Sequence, residues 1–93
     1  MARYVSLIRF TDQGSRNIRQ STARALAFKK AAEKAGLKIE LQLWTVGNQD
    51  GLLILNGDEK KVVRTLAQLS ALGNVKTQTM QAFNAQEFQA MLR

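Results

Sequence analysis

From Arg3 to Phe10 the chain is rich in apolar residues at the period of a strand, yet both sides of that strand are apolar. Val5 and Leu7 fall on one face, and Tyr4, Ile8 and Phe10 on the other. The next stretch, "TDQGSRNIRQS", breaks the pattern with Gly14 and residues suited to turns and short helical caps. Ser21 then predicts the N-cap of a helix running to Ala35, with Gly36 as its stop. Two neighbouring stripes mark that helix. Ala23, Leu26, Ala27, Lys30, Ala31 and Lys34 form one, and Ala25, Phe28, Ala32 and Ala35 form the other. Together they make a small-residue face able to lie close to a sheet.

Leu37, Ile39, Leu41 and Leu43 alternate with Lys38, Glu40, Gln42 and Trp44, the pattern of a half-buried strand with its four aliphatics on one side. Gly47 to Gly51 predicts a tight reversal, and "GLLILN" a second, more fully buried strand. Asn56-Gly57-Asp58 ends that strand, and Asp58 caps another helix. Val62, Val63, Leu66, Leu69 and Leu72 form its apolar face, and Gly73 stops it. "NVKTQTMQAF" predicts a fourth strand. Asn84 with Glu87 three residues on predicts a capping box, opening a short helix that carries Phe88, Met91 and Leu92.

The order β-α-β-β-α-β plus a terminal helix is the α+β, ferredoxin-like arrangement, a single domain over residues 1–93. Right-handed crossovers put both main helices on one face of an antiparallel sheet and leave the other face open. An open face bearing Tyr, Ile, Phe and Trp would be a large exposed apolar patch on a monomer. Burial against a second copy, sheet to sheet, is therefore the expectation, giving a homodimer.

Composition narrows the chemistry. The 93 residues contain no Cys and no His, which excludes disulfides, thiolate sites and any Ser-His-Asp or Cys-His mechanism. The commonest metal and haem ligands are missing with them, so neither a metal nor a cofactor is expected. The amino terminus lacks the features of a secretory signal, and no apolar run is long enough to cross a bilayer, so a cytoplasmic protein without membrane contact is expected. The formal net charge is +7. Its Lys and Arg residues are scattered, as on solvated helix surfaces, and the aromatic strand signatures of RNA-binding ferredoxin-like domains are lacking, so nucleic acid is not the expected partner.

Six residues are the candidates for ligand binding. Asp50 lies in the turn between two glycines, where its carboxylate can accept backbone N–H bonds; its sharper reading is a general base or ligand anchor at the mouth of a cleft. Asp12 is four residues before Arg16, the spacing of an ordinary helical ion pair, while Arg9 closes the first strand where an anion could bind. Trp44 is expected at the dimer seam, with the wall of an apolar pocket as its rival reading. Tyr4 can pack in the core or hydrogen-bond within such a pocket, and Asn48 lies in the turn.

"YVSLIRFTDQGSRNIRQS", "WTVGNQDG" and "LGNVKTQTMQAF" resemble the GYD-domain family over nearly the whole chain, with Thr11–Gly14 the most specific part. The signature Tyr of that family falls at Gln49, so a phenol able to donate a proton or stack on a ligand is replaced by an amide. The resemblance implies a dimeric α/β barrel made of two ferredoxin-like subunits joined through their sheets; it implies no activity. Three functions follow as expectations. The first is a binding module for a small organic or anionic ligand held between sheet and helices. The second is a cofactor-free, monooxygenase-like enzyme using Trp44, Asn48 and Tyr4 on an aromatic or quinone-like substrate. The third is a structural or protein-interaction module docking an acidic partner through its basic surface.

Overall fold

The structure, a computed structural model, describes residues 2–93. Four strands form one antiparallel sheet: β1 (Ala2–Phe10), β2 (Lys38–Trp44), β3 (Gly51–Gly57) and β4 (Val75–Ala82), in the order β2-β3-β1-β4. Between them run α1 (Asp12–Arg16), a 3-10 turn (Ile18–Gln20), α2 (Ser21–Lys34) and α3 (Glu59–Ala71), and α4 (Ala85–Met91) follows the last strand. This is the ferredoxin-like arrangement expected from the sequence. The sheet of one chain is open, so the barrel of the expectation is not formed within it.

The strand register sorts side chains into two faces. Ile39, Leu55 and Tyr4 share one row, Leu53 and Ser6 the next, and Gly51 and Ile8 the third. These rows lie under the helices. Leu53, Leu55, Ile39 and Leu37 pack there with Ala32 of α2 and with Val62 and Leu66 of α3, while Tyr4, Ile8, Phe28 and Leu69 close the edges of the cluster. Each such aliphatic side chain contributes about 1.5–3 kcal/mol when fully removed from water. Ser6 is wholly buried in this layer, and its hydroxyl shares a 2.9 Å hydrogen bond with Thr79 of the neighbouring strand, which removes the cost of an unpaired polar group.

Two expectations about faces are corrected. The aromatic residues of the first strand lie under the helices, and the open face carries Val5, Leu7, Leu52, Ile54 and Met80 instead. In β2 the four aliphatics do not share a side. The pairing passes from Ile39↔Leu55 to Leu41↔Ile54, so Glu40 is an extra residue, a β-bulge. One inserted residue reverses the parity of everything after it. Leu37 and Ile39 therefore point to the core, Leu41 and Leu43 join the open face, and Gln42 and Trp44 turn toward the helices.

The helices show similar selection. In α2 the inward stripe is Ala25, Phe28 and Ala32, whereas Leu26 is 53% exposed. In α3 Val62 and Leu66 are buried, whereas Val63 and Leu72 are exposed. Ser21 begins α2 but does not cap it with its side chain, which is engaged elsewhere. Asp58 does cap α3, accepting from the Lys61 N–H, and Asn84 and Glu87 form the capping box of α4.

The "TDQG" stretch is a latch. The Thr11 N–H donates to the Asn74 carbonyl at 3.0 Å, and its hydroxyl donates to the Gly73 carbonyl at 2.6 Å. That same hydroxyl oxygen accepts from the Gly14 N–H, capping α1, and the Gln13 amide donates to the Leu72 carbonyl and to Asn74 Oδ1. Gly14 is buried so close to the Asn74 carbonyl that any β-carbon would overlap it. Glycine is required there by proximity.

Candidate functional site

The bulge in β2 shapes a concavity on the helix side of the sheet. With Trp44 turned inward opposite Gly51, which has no side chain, a cleft opens between the sheet and the helices α2 and α3. Its volume is about 400 Å³, and Ile8, Phe10, Phe28, Trp44, Leu53 and Leu69 are among the residues that line it. Ala25 and Ala31 keep α2 low over the cleft without filling it.

Its polar groups are few and largely engaged. Trp44 Nε1 donates to Ser21 Oγ at 3.1 Å, fixing the indole against the start of α2. Gln42 donates to the Ala25 carbonyl at 3.1 Å, tying β2 to the middle of the same helix. Arg24, half-buried at the rim, donates to the Asn17 carbonyl at 2.7 Å, and no carboxylate lies within 4.0 Å of its guanidinium among the described residues.

Asp50 joins this cleft to the sheet. Its backbone N–H donates to the Ile8 carbonyl at 2.8 Å, extending the β1–β3 ladder by one bond. Its Oδ2 accepts from the Phe10 N–H at 2.8 Å, taking the place a backbone carbonyl would fill had the strand continued. The hairpin is closed alongside by Thr45, whose N–H donates to the Asp50 carbonyl and whose hydroxyl donates to the Gln49 carbonyl at 2.6 Å. The carboxylate therefore terminates β1, and both Asp50 and Phe10 line the cleft.

Of the six sequence candidates, the fold brings two together, Trp44 and Asp50. Trp44 lines the cleft and is 49% exposed. Tyr4 lines a separate shallow trough of about 380 Å³ between α3 and β4, with Thr77, Thr79 and Gln81. Asn48 lies exposed in the hairpin turn, and Arg9 is exposed on the open face opposite Lys76 of β4. Asp12 sits in the first turn of α1 and makes no ion pair with Arg16; the ion pair found among the described residues is Arg3–Glu87 at 2.7 Å. Sequence reading missed Ser21, Arg24, Gln42, Phe10 and Phe28. Phe28 was legible from its stripe on the helix, but Gln42 and Arg24 read as solvent-facing polar residues without the bulge and the α1–α2 corner.

Among the described residues no cluster of three or more acidic side chains could hold a metal ion, and no helix is long and apolar enough to cross a membrane. No curated protein and no solved structure matches the chain. The profile of the GYD domain family matches residues 4–92, from the first strand through the terminal helix, and the chain belongs to that family.

Proposed function

We propose that this chain is a homodimeric binding module holding a small, mainly apolar organic molecule in the cleft between the sheet and helices α2 and α3. The observation that carries the reading is the cleft itself. Its volume of about 400 Å³ is that of a small-molecule site, and its wall is aromatic and aliphatic with few polar groups. The Asp50 carboxylate offers an acceptor for a ligand hydroxyl. The Arg24 guanidinium at the rim offers a positive group for an anionic substituent. The monooxygenase-like reading draws less support, because Trp44, Asn48 and Tyr4 lie in three separate surroundings.

Trp44 is the only tryptophan, so its fluorescence reports the cleft directly. Titration with 2-naphthol is expected to quench it saturably at sub-millimolar concentration. Ala25→Phe, which fills the cleft from α2, is expected to weaken that binding at least tenfold while leaving the fold intact by circular dichroism. Quenching that stays linear in naphthol, or that is equal in the variant, removes the proposal.

The dimeric part of the reading rests on the open face. Val5, Leu7, Leu52 and Ile54 run across it, and Leu41, Leu43 and Met80 are 38%, 49% and 44% exposed there. A patch of this kind on a soluble domain is a docking surface. Light scattering behind size-exclusion chromatography at micromolar concentration is expected to give twice the chain mass; a single-chain mass removes the dimer.

A further inference from the structure

The terminal helix α4 buries none of its residues against its own chain. Every one of its residues is exposed, with Phe88, Met91 and Leu92 at 54%, 57% and 66%, and Phe83 just before it at 40%. Phe88, Met91 and Leu92 are spaced i, i+3, i+4, one apolar stripe. Seven residues are too few for an independently stable helix in water, so an apolar stripe on so short an element calls for a surface to land on. The molecule is correspondingly drawn out, with extents of 48 × 30 × 17 Å.

One ion pair ties α4 to the open face. Arg3, in the row Lys38–Asn56–Arg3–Ala82 of that face, pairs with Glu87 at 2.7 Å. The helix is thus anchored at the β4 edge of the face. Of the exposed apolar residues of the same face, Met80 lies on β4 beside the helix, while Leu41 and Leu43 lie on β2 at the opposite edge. A two-fold axis running parallel to the strands stacks two open faces so that the β4 edge of each meets the β2 edge of the other. That operation covers both uncovered surfaces at once.

From this juxtaposition we infer that α4 is a dimerisation arm: Phe88, Met91 and Leu92 of each copy pack on Leu41 and Leu43 of a second copy. The inference rests on the sheet-to-sheet dimer proposed above and states what completes it. Area supports the arm. Large apolar side chains carry on the order of 200 Å² each. Leu41, Leu43 and Met80, at 38%, 49% and 44%, then expose roughly 250 Å² per copy, about a third of the ~800 Å² that each partner contributes to a standard interface. Phe83 and the stripe on α4, more exposed, bring roughly 400 Å² more.

The absence of cysteine makes the test direct. Met91→Cys in the full chain is spin-labelled and mixed with an unlabelled-spin, methyl-¹³C-leucine copy. The arm predicts strong relaxation enhancement at the Leu41 and Leu43 methyls of the isotopically labelled copy, which can arise only between chains. Phe88→Ser with Leu92→Ser is expected to raise the dimer dissociation constant at least tenfold without loss of helix α2 or α3 by circular dichroism. A wild-type chain that runs as a monomer overturns the dimer and the arm with it. A stable dimer that lacks the intermolecular enhancement, or that is unchanged by the paired serines, overturns the arm alone and leaves the dimer standing.

Discussion

At the scale of single residues, Asp50 does structural and candidate-ligand work with the same carboxylate. Oδ2 takes the Phe10 N–H, a half-buried donor with no strand beyond it to satisfy it. Asp50→Ala leaves that donor unpaired and is expected to cost about 1–3 kcal/mol, read as a lower urea midpoint. Asp50→Asn keeps an acceptor oxygen and is expected to cost less than half as much. Equal losses for the two would mean that the charge, rather than the hydrogen bond, holds the turn. Gly14 makes the complementary point, since a β-carbon there overlaps the Asn74 carbonyl, which is backbone and cannot rotate away. Gly14→Ala is expected to destabilise by about 1–3 kcal/mol, the range for overpacking a tight site, and to loosen the α1 latch in hydrogen exchange at Thr11. If the variant is as stable as the parent, the close approach of α1 to the α3–β4 turn is wrong.

At the scale of elements, the order of the strands and main helices was legible in the sequence, while α1, the start of α2 and the facing of side chains were not. The capping signals at Asp58 and at Asn84 with Glu87, and the helix stops at Gly36 and Gly73, are local chemistry and appear where they were read. Leu37, Ile39, Leu41 and Leu43 are perfectly periodic, and nothing in their spacing announces a bulge at Glu40. Register belongs to the partner strand, and one extra residue sends Trp44 and Gln42 into the cleft. The inward arc of α2 was ambiguous for a similar reason: two apolar stripes were available, and only packing against the sheet chooses between them.

The terminal helix carries the pH dependence. The Asn84 backbone N–H and, after it, the Arg3 guanidinium hold the Glu87 carboxyl below the ordinary glutamate range. A group whose folded-state pKa is depressed adds stability above its unfolded value, and that stability is lost as pH falls through the folded value. The contribution of the Glu87 carboxylate to capping α4 and to its Arg3 pair is therefore full at neutral pH and lost in acid, below the usual carboxylate range. The Met91 methyl resonance is expected to move toward its random-coil position over that window. Glu87→Gln is expected to abolish the movement, and a pH response that survives the substitution would assign the release to another group.

At the scale of the whole molecule, the net charge of +7 sets two of the proposed partners against each other. Docking of an acidic protein through the basic surface would be weakened by salt, because opposite charges are screened. Association of two copies brings like charges together. On the open face Arg9 and Lys76 lie directly opposite each other on adjacent strands, so a sheet-to-sheet dimer gathers two such cationic pairs at one interface. The attraction in that dimer comes from apolar residues and is not reduced by added salt, whereas the repulsion is reduced. The dimer dissociation constant is therefore expected to fall between 0.05 and 0.5 M sodium chloride, on the order of several-fold, by sedimentation velocity. Lys76→Gln is expected to tighten the dimer at low salt and to flatten its salt dependence, because it removes one cation of each pair while leaving Leu7, Leu43 and Leu52 in place. Association that weakens as salt is added would place the contact on paired charges elsewhere on the surface, and the open sheet face would then be free to meet something other than its own copy.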